Sequence, residues 1–162
     1  MSFSPQTNTL APKLSFSRYF WFGLVGELKR RGGGCRESGA FLLAAQGSRR
    51  VQCAAYYDDL QPGSLDEGFI IFEDSGYVAL TKLCQRESLS VVADVHTHPG
   101  TWTGQSEADR DHPMMPRSGH IALIIPVFAQ ANRYHHRGIG AYHYQGDGVW
   151  SDIRPNVSLS FL

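Results

Sequence analysis

Residues 90–111 read SVVADVHTHPGTWTGQSEADRD. The first nine residues have the composition of a strand, with valines around Ala93 and polar groups towards its end. Side chains on a strand repeat every two residues, so His96 and His98 share a face at its exit. Pro99 follows at once and stiffens that exit. The second half starts a helix: Ser106-Glu107-Ala108-Asp109 carries the hydroxyl and the carboxylate of a capping box. Each half alone has a plain structural reading, a polar strand face and a capped helix. Together they offer two imidazoles at the end of a strand, and a hydroxyl and a carboxylate in the first turn of the next helix.

Working outward, residues 17–31 place Phe20, Leu24, Val25 and Leu28 at helical spacing, and Gly32-Gly33-Gly34 ends the helix. ESGAFLLAA (37–45) and RRVQCAAYY (49–57) read as strands joined by a hairpin at Gln46-Gly47-Ser48. Gln61-Pro62-Gly63 is a turn, and GFIIF (68–72) reads as a short strand. Asp74-Ser75 is expected to cap a helix over 75–87, with Val78, Leu80, Leu83 and Cys84 on its apolar face. After the strand at 90–98 and a polar stretch, HIALIIPVFA (120–129) reads as a buried strand. A hairpin around Asp147-Gly148 follows. Residues 1–16, rich in Ser, Thr, Pro and Asn, are expected to be an irregular arm or to include a short edge strand. Residues 17–162 are expected to form one α/β (α+β) domain, a mixed sheet with helices packed on it.

Lys+Arg and Asp+Glu number 15 each, so the chain lacks the broad basic footprint of a nucleic-acid binder. The one basic cluster, Lys29, Arg30, Arg31 and Arg36, reads as a solvated, dipole-complementing helix end. Cys35, Cys53 and Cys84 form no C-x-x-C and read as reduced thiols in or near the core, which points to the cytoplasm. The N-terminus does not read as a secretory signal, and IALIIPVFA is too short to span a bilayer. No membrane or nucleic-acid partner is expected.

Two histidines and one carboxylate supply three zinc ligands and leave a fourth position for water, as in catalytic zinc sites. His96-Thr97-His98, then seven residues beginning with Pro99, then Ser106 and Asp109 resembles the JAMM motif of the JAB/MPN/Mov34 metalloprotease family. In element order the resemblance extends over about residues 17–153. It implies zinc held by His96, His98 and Asp109, with Ser106 donating to an oxyanion. The family's upstream catalytic glutamate matches Glu37 in CRESGAFLLA. Glu27 is the competitor, but four residues before Arg31 in a helix it is expected to form a surface ion pair. Glu37 would be general base and then general acid.

The implied reaction cuts the amide bond after the C-terminal tail of a ubiquitin-like protein, with ubiquitin-activating and conjugating-like enzymes as possible partners. The chain resembles compact prokaryotic members, including those of antiphage conjugation systems. A zinc hydrolase of another amide and a non-catalytic scaffold are the alternatives. TWTGQ (101–105) is where tail contacts are expected, although Trp102 could equally be loop packing. Asp94 shares the ligand face of its strand, where it is either one more polar residue or a partner that orients a ligand. Asp111, His112, His120, His135, His136 and His143 fall outside the motif, and His112, three residues past Asp109, is expected at the surface with a place behind a ligand as the alternative.

Overall fold

The computed structural model describes residues 12–153 and 159–162; residues 1–11 of the expected arm lie outside the described residues. In chain order the elements are β1 (Leu14–Phe16), α1 (Arg18–Gly32), β2 (Gly39–Ala45), β3 (Val51–Tyr56), α2 (Tyr57–Leu60), α3 (Asp74–Glu87), β4 (Leu89–Thr97), α4 (Glu107–Asp111), β5 (Ile121–Ile125), β6 (Gly140–Gly146), β7 (Val149–Asp152) and β8 (Leu159–Phe161). The main sheet has the order β3-β2-β4-β5-β6-β7. β4 and β5 run parallel and the other neighbours pair antiparallel, so the sheet is mixed, as the element order implies.

β2 lies between β3 and β4, and its unbroken apolar run GAFLLAA is explained by cover on both faces. Ala40, Leu42 and Ala44 face one core, with Trp21, Leu24, Val25 and Leu28 of α1. Phe41 and Leu43 face the other, with Tyr57, Leu65 and Leu80. This alternation fixes the register, since a slip of one residue would exchange the two faces. α1 begins where the Ser17 hydroxyl accepts the Phe20 N–H at 3.0 Å and ends at Gly33, whose φ of +59° suits glycine. The basic helix end is paired: Arg30 and Arg31 both bond Glu27, and Arg31 also reaches Asp58 and Asp59.

Several expectations are corrected. Residues 68–72 form no strand; β2 already has a neighbour on each side, so they have no free edge to join there. They cover the sheet instead, with Phe72 packed on Phe41, Tyr57 and Tyr77, and Phe69 57% exposed. α3 starts one residue early, with Glu73 at the N-cap position making no side-chain cap bond. The strand expected over 120–129 stops at Ile125, because Pro126 has no N–H and the next three residues turn left-handed. Of the two readings of the N-terminal segment, the short edge strand holds at Leu14–Phe16 in place of an irregular arm: β1 pairs parallel with β8 and Leu14 and Phe16 are buried. Cys35 is exposed rather than near the core, Cys53 and Cys84 are partly buried, and all three are unpaired. Among the described residues, no helix is long and apolar enough to cross a membrane.

Candidate metal centre

β4 carries His96 to the end of the sheet, opposite Gly39 on β2 and Ile124 on β5. A side chain at position 39 would strike the Tyr57 ring and come within 2.7 Å of the Val95 carbonyl oxygen, so glycine is required there. His98 lies just past the strand and is pinned from both sides: its N–H donates to Ile125 and its carbonyl accepts from Phe128. Phe128, one arm of this clamp, sits in a left-handed run: Val127, Phe128 and Ala129 have φ of +53°, +50° and +61°. Left-handed backbone is costly for residues with a Cβ and most of all for a β-branched one. Val127→Asn, which tolerates that conformation, is expected to stabilise the fold by roughly 1 kcal/mol, read as a higher denaturation midpoint. No gain in midpoint would mean that no strain is stored there.

Ser106 caps α4. Its hydroxyl accepts the Asp109 N–H at 3.1 Å, and the Asp109 carboxylate accepts the Ser106 N–H at 2.8 Å. This capping box holds the Asp109 carboxylate facing the histidines. His96 Nε2 lies 3.3 Å from Asp109 Oδ1, and His98 Nε2 lies 3.5 Å from Asp109 Oδ2. The two Nε2 atoms are 3.2 Å apart. One ligand atom from each of His96, His98 and Asp109 falls within a 4.8 Å group. His98 Nδ1 meets the Trp102 carbonyl oxygen at 3.1 Å; a carbonyl only accepts, so that nitrogen carries the proton and Nε2 keeps its lone pair.

The donor set fits a zinc ion. Two imidazole nitrogens and a carboxylate converge, and nitrogens this close need a cation or a shared proton between them. The local electrostatics agree. Burial alone would raise Asp109, but the adjacent His96 and His98 hold it well below the usual carboxylate range. Burial would lower His96, but Asp109 and Asp94 raise it above the ordinary histidine value. The cluster therefore favours positive charge at its centre.

Glu37 lies two residues before β2, and its N–H is tied to Gly68 of the 64–72 loop. Its side chain lines one cleft of about 720 Å³ together with His96, Ser106 and Asp109. Burial pushes its carboxyl above the ordinary glutamate value, against the pull of His96 and His98. Glu27, the competing glutamate, is on α1 in ion pairs with Arg30 and Arg31, as its spacing suggests. Trp102 stacks on the His98 ring at 5.5 Å and is still 61% exposed, so it packs on a ligand and also offers surface at the rim.

His112, at the end of α4, is exposed on the cleft wall. Asp94 is buried beside His96, with its Oδ2 3.9 Å from His96 Nδ1. Its closest partner is His120, a residue that motif spacing leaves out, at 2.6 Å. The only sequence signal for that pairing was a histidine at the mouth of the apolar strand that follows the motif.

No family model matches the chain. Among solved structures, it is similar to a solution structure of a protein from Desulfitobacterium hafniense, at 14% identity, covering 92% of each chain, with a TM-score of 0.63. It is also similar to a solution structure of a protein from Salinibacter ruber, at 18% identity over 82% of this chain and 86% of that one, with a TM-score of 0.50. The crystal structure of a JAB1/MPN domain protein from Archaeoglobus fulgidus matches at 16% identity over 93% of this chain and 98% of that one, with a TM-score of 0.49. At these identities the first two likenesses bear on the fold alone, a mixed sheet flanked by helices.

Proposed function

We propose that this protein is a zinc-dependent isopeptidase or peptidase of the JAMM type, cutting the amide bond after the C-terminal tail of a ubiquitin-like protein. The observation that carries the reading is convergence. His96 from β4, Asp109 and Ser106 from the start of α4, and Glu37 from the approach to β2 line one cleft, and His98 at the exit of β4 completes the ligand cluster with His96 and Asp109. A scaffold has no use for that combination of a base, a hydroxyl and three metal ligands.

Held by His96, His98 and Asp109, zinc would supply Lewis acidity and a water acidified towards neutral pH. Glu37 would accept a proton from the attacking water and return it to the leaving amine, which needs a carboxylate that ionises closer to the working pH than an ordinary one. Its desolvated setting meets that need. The Ser106 hydroxyl spends its oxygen on the cap and keeps its proton free to donate to the developing oxyanion. Phe69, Ile70, Phe72, Met114 and Trp150 supply apolar walls against which a substrate chain can be held. The ubiquitin-like substrate rests on the spacing from His96 to Asp109 and its resemblance to the JAMM motif. A cytoplasmic setting, and company with ubiquitin-activating and conjugating-like enzymes of an antiphage system, belong to the same proposal.

The test is cleavage of a ubiquitin-like protein fused through its tail to a reporter. Purified protein is expected to contain one zinc per chain, to lose cleavage on chelation and to regain it when zinc returns. A zinc-loaded protein that cuts no such tail rules out this substrate class in favour of another amide. A protein that binds no zinc at all is a scaffold.

A further inference from the structure

We propose that His120 is a positioning residue for the metal centre: it holds the buried Asp94 carboxylate against His96, so that His96 presents Nε2 to the ion. The proposal rests on the metal reading above but not on the substrate. Asp94 is 2% exposed and His120 3%, and a carboxylate taken this far from water needs partners. Its Oδ1 receives His120 Nε2 at 2.6 Å, and its Oδ2 receives the Tyr57 hydroxyl at 3.4 Å. The same Oδ2 lies 3.9 Å from His96 Nδ1, beyond hydrogen-bond length but close enough to favour a proton there in a dry setting. His96 Nε2 then keeps its lone pair on the side where His98 and Asp109 converge.

The tautomer of His120 follows from its own surroundings. Its Nδ1 is buried with no hydrogen-bond partner among the described residues. A proton on that nitrogen would be an unsatisfied buried donor, so the proton sits on Nε2 and is given to Asp94. The sheet makes this contact possible. β4 and β5 pair in parallel with Asp94 opposite Ala122, and His120 precedes Ala122 by two residues, which continues the same face. Small Ala122 leaves that face open beside the carboxylate. The two ligands are thus oriented by different devices, His98 by the Trp102 carbonyl and His96 by Asp94 with His120 behind it.

Zinc affinity, measured by competition with a chelator, tests this without reference to cleavage, with the Co²⁺ spectrum as a second readout and thermal unfolding as the control. His120→Leu is expected to weaken zinc by about 10- to 100-fold, and Asp94→Asn by a similar factor. His120→Gln, which returns an N–H near the position of Nε2, is expected to recover most of the loss. The double variant Asp94→Asn with His120→Leu is expected to bind no more weakly than Asp94→Asn alone, because His120 acts through Asp94. The double variant also removes the unpaired carboxylate that could unfold His120→Leu, so the test survives that failure. Wild-type zinc affinity in His120→Leu or in the double variant, with only the melting temperature lowered, would overturn the proposal and leave a purely structural buried pair. Multiplying losses in the double variant would overturn it too. Wild-type protein that binds neither Zn²⁺ nor Co²⁺ would sink the metal reading and this proposal together.

Discussion

Glu37→Gln is expected to lower cleavage of a ubiquitin-like fusion by roughly 10²- to 10⁴-fold while zinc content stays at the wild-type level. The substitution keeps the shape of the side chain and removes only its ability to take a proton. Glu37 lines the cleft without belonging to the close ligand cluster, so the metal has no reason to leave. The same residue sets a pH dependence. Burial raises its carboxyl above the ordinary value of 4.5, and only the ionised form accepts a proton. Wild-type kcat/KM should therefore rise with pH along an acid limb lying above 4.5. The effect on stability has the opposite sign. A carboxyl whose folded value is raised favours the fold at low pH and loses that contribution as pH rises through the folded value. In zinc-free protein at neutral pH, Glu37→Gln should melt higher than wild type. Wild-type turnover in Glu37→Gln would remove Glu37 as the base. Glu27 would be a poor replacement: Arg30, against the opposing effect of burial, and Arg31 hold it down to about 2.

How much of this was legible in the sequence depends on the range of the interaction. The histidine pair and the capped helix are local patterns, set by a period of two and by bonds three residues apart, and the structure reproduces both as written. The helix over 17–31 and the hairpin at Asp147-Gly148 are legible for the same reason. Residues 68–72 show where local reading stops. GFIIF has the composition of a strand, but a strand also needs an open neighbour, and the strand order decides that. The left-handed turn at 127–129 was hidden because Val127, Phe128 and Ala129 are residues that ordinarily avoid it. His120 was hidden differently. Its partner lies 26 residues away, and only the parallel pairing of β4 with β5 brings the two together. Glu37 could be named only through the resemblance, since nothing in CRESGAFLLA itself points to the cleft that its side chain lines.

Asp109→Asn is expected to weaken zinc binding by about a hundredfold or more, and cleavage should fall with it. Zinc sites gain on the order of 10–16 kcal/mol from four ligands, so a lost anionic ligand removes roughly 3 kcal/mol. Asp109 has two duties, however, and the variant has to separate them. One carboxylate oxygen closes the capping box on the Ser106 N–H, and the carboxylate also faces both histidines. The amide oxygen of Asn can still accept the Ser106 N–H, so the start of α4 survives while the anionic donor is gone. Ser106→Ala makes the reverse cut. It removes the hydroxyl that caps Asp109 N–H and would serve the oxyanion, at about 1 kcal/mol of stability and roughly 10²- to 10³-fold in turnover, with Asp109 still charged. Zinc titration and turnover on the two variants should then separate: Asp109→Asn loses metal and activity together, and Ser106→Ala loses activity with its metal in place. An Asp109→Asn protein that holds zinc as tightly as wild type would reduce Asp109 to a helix cap and remove it from the ligand set.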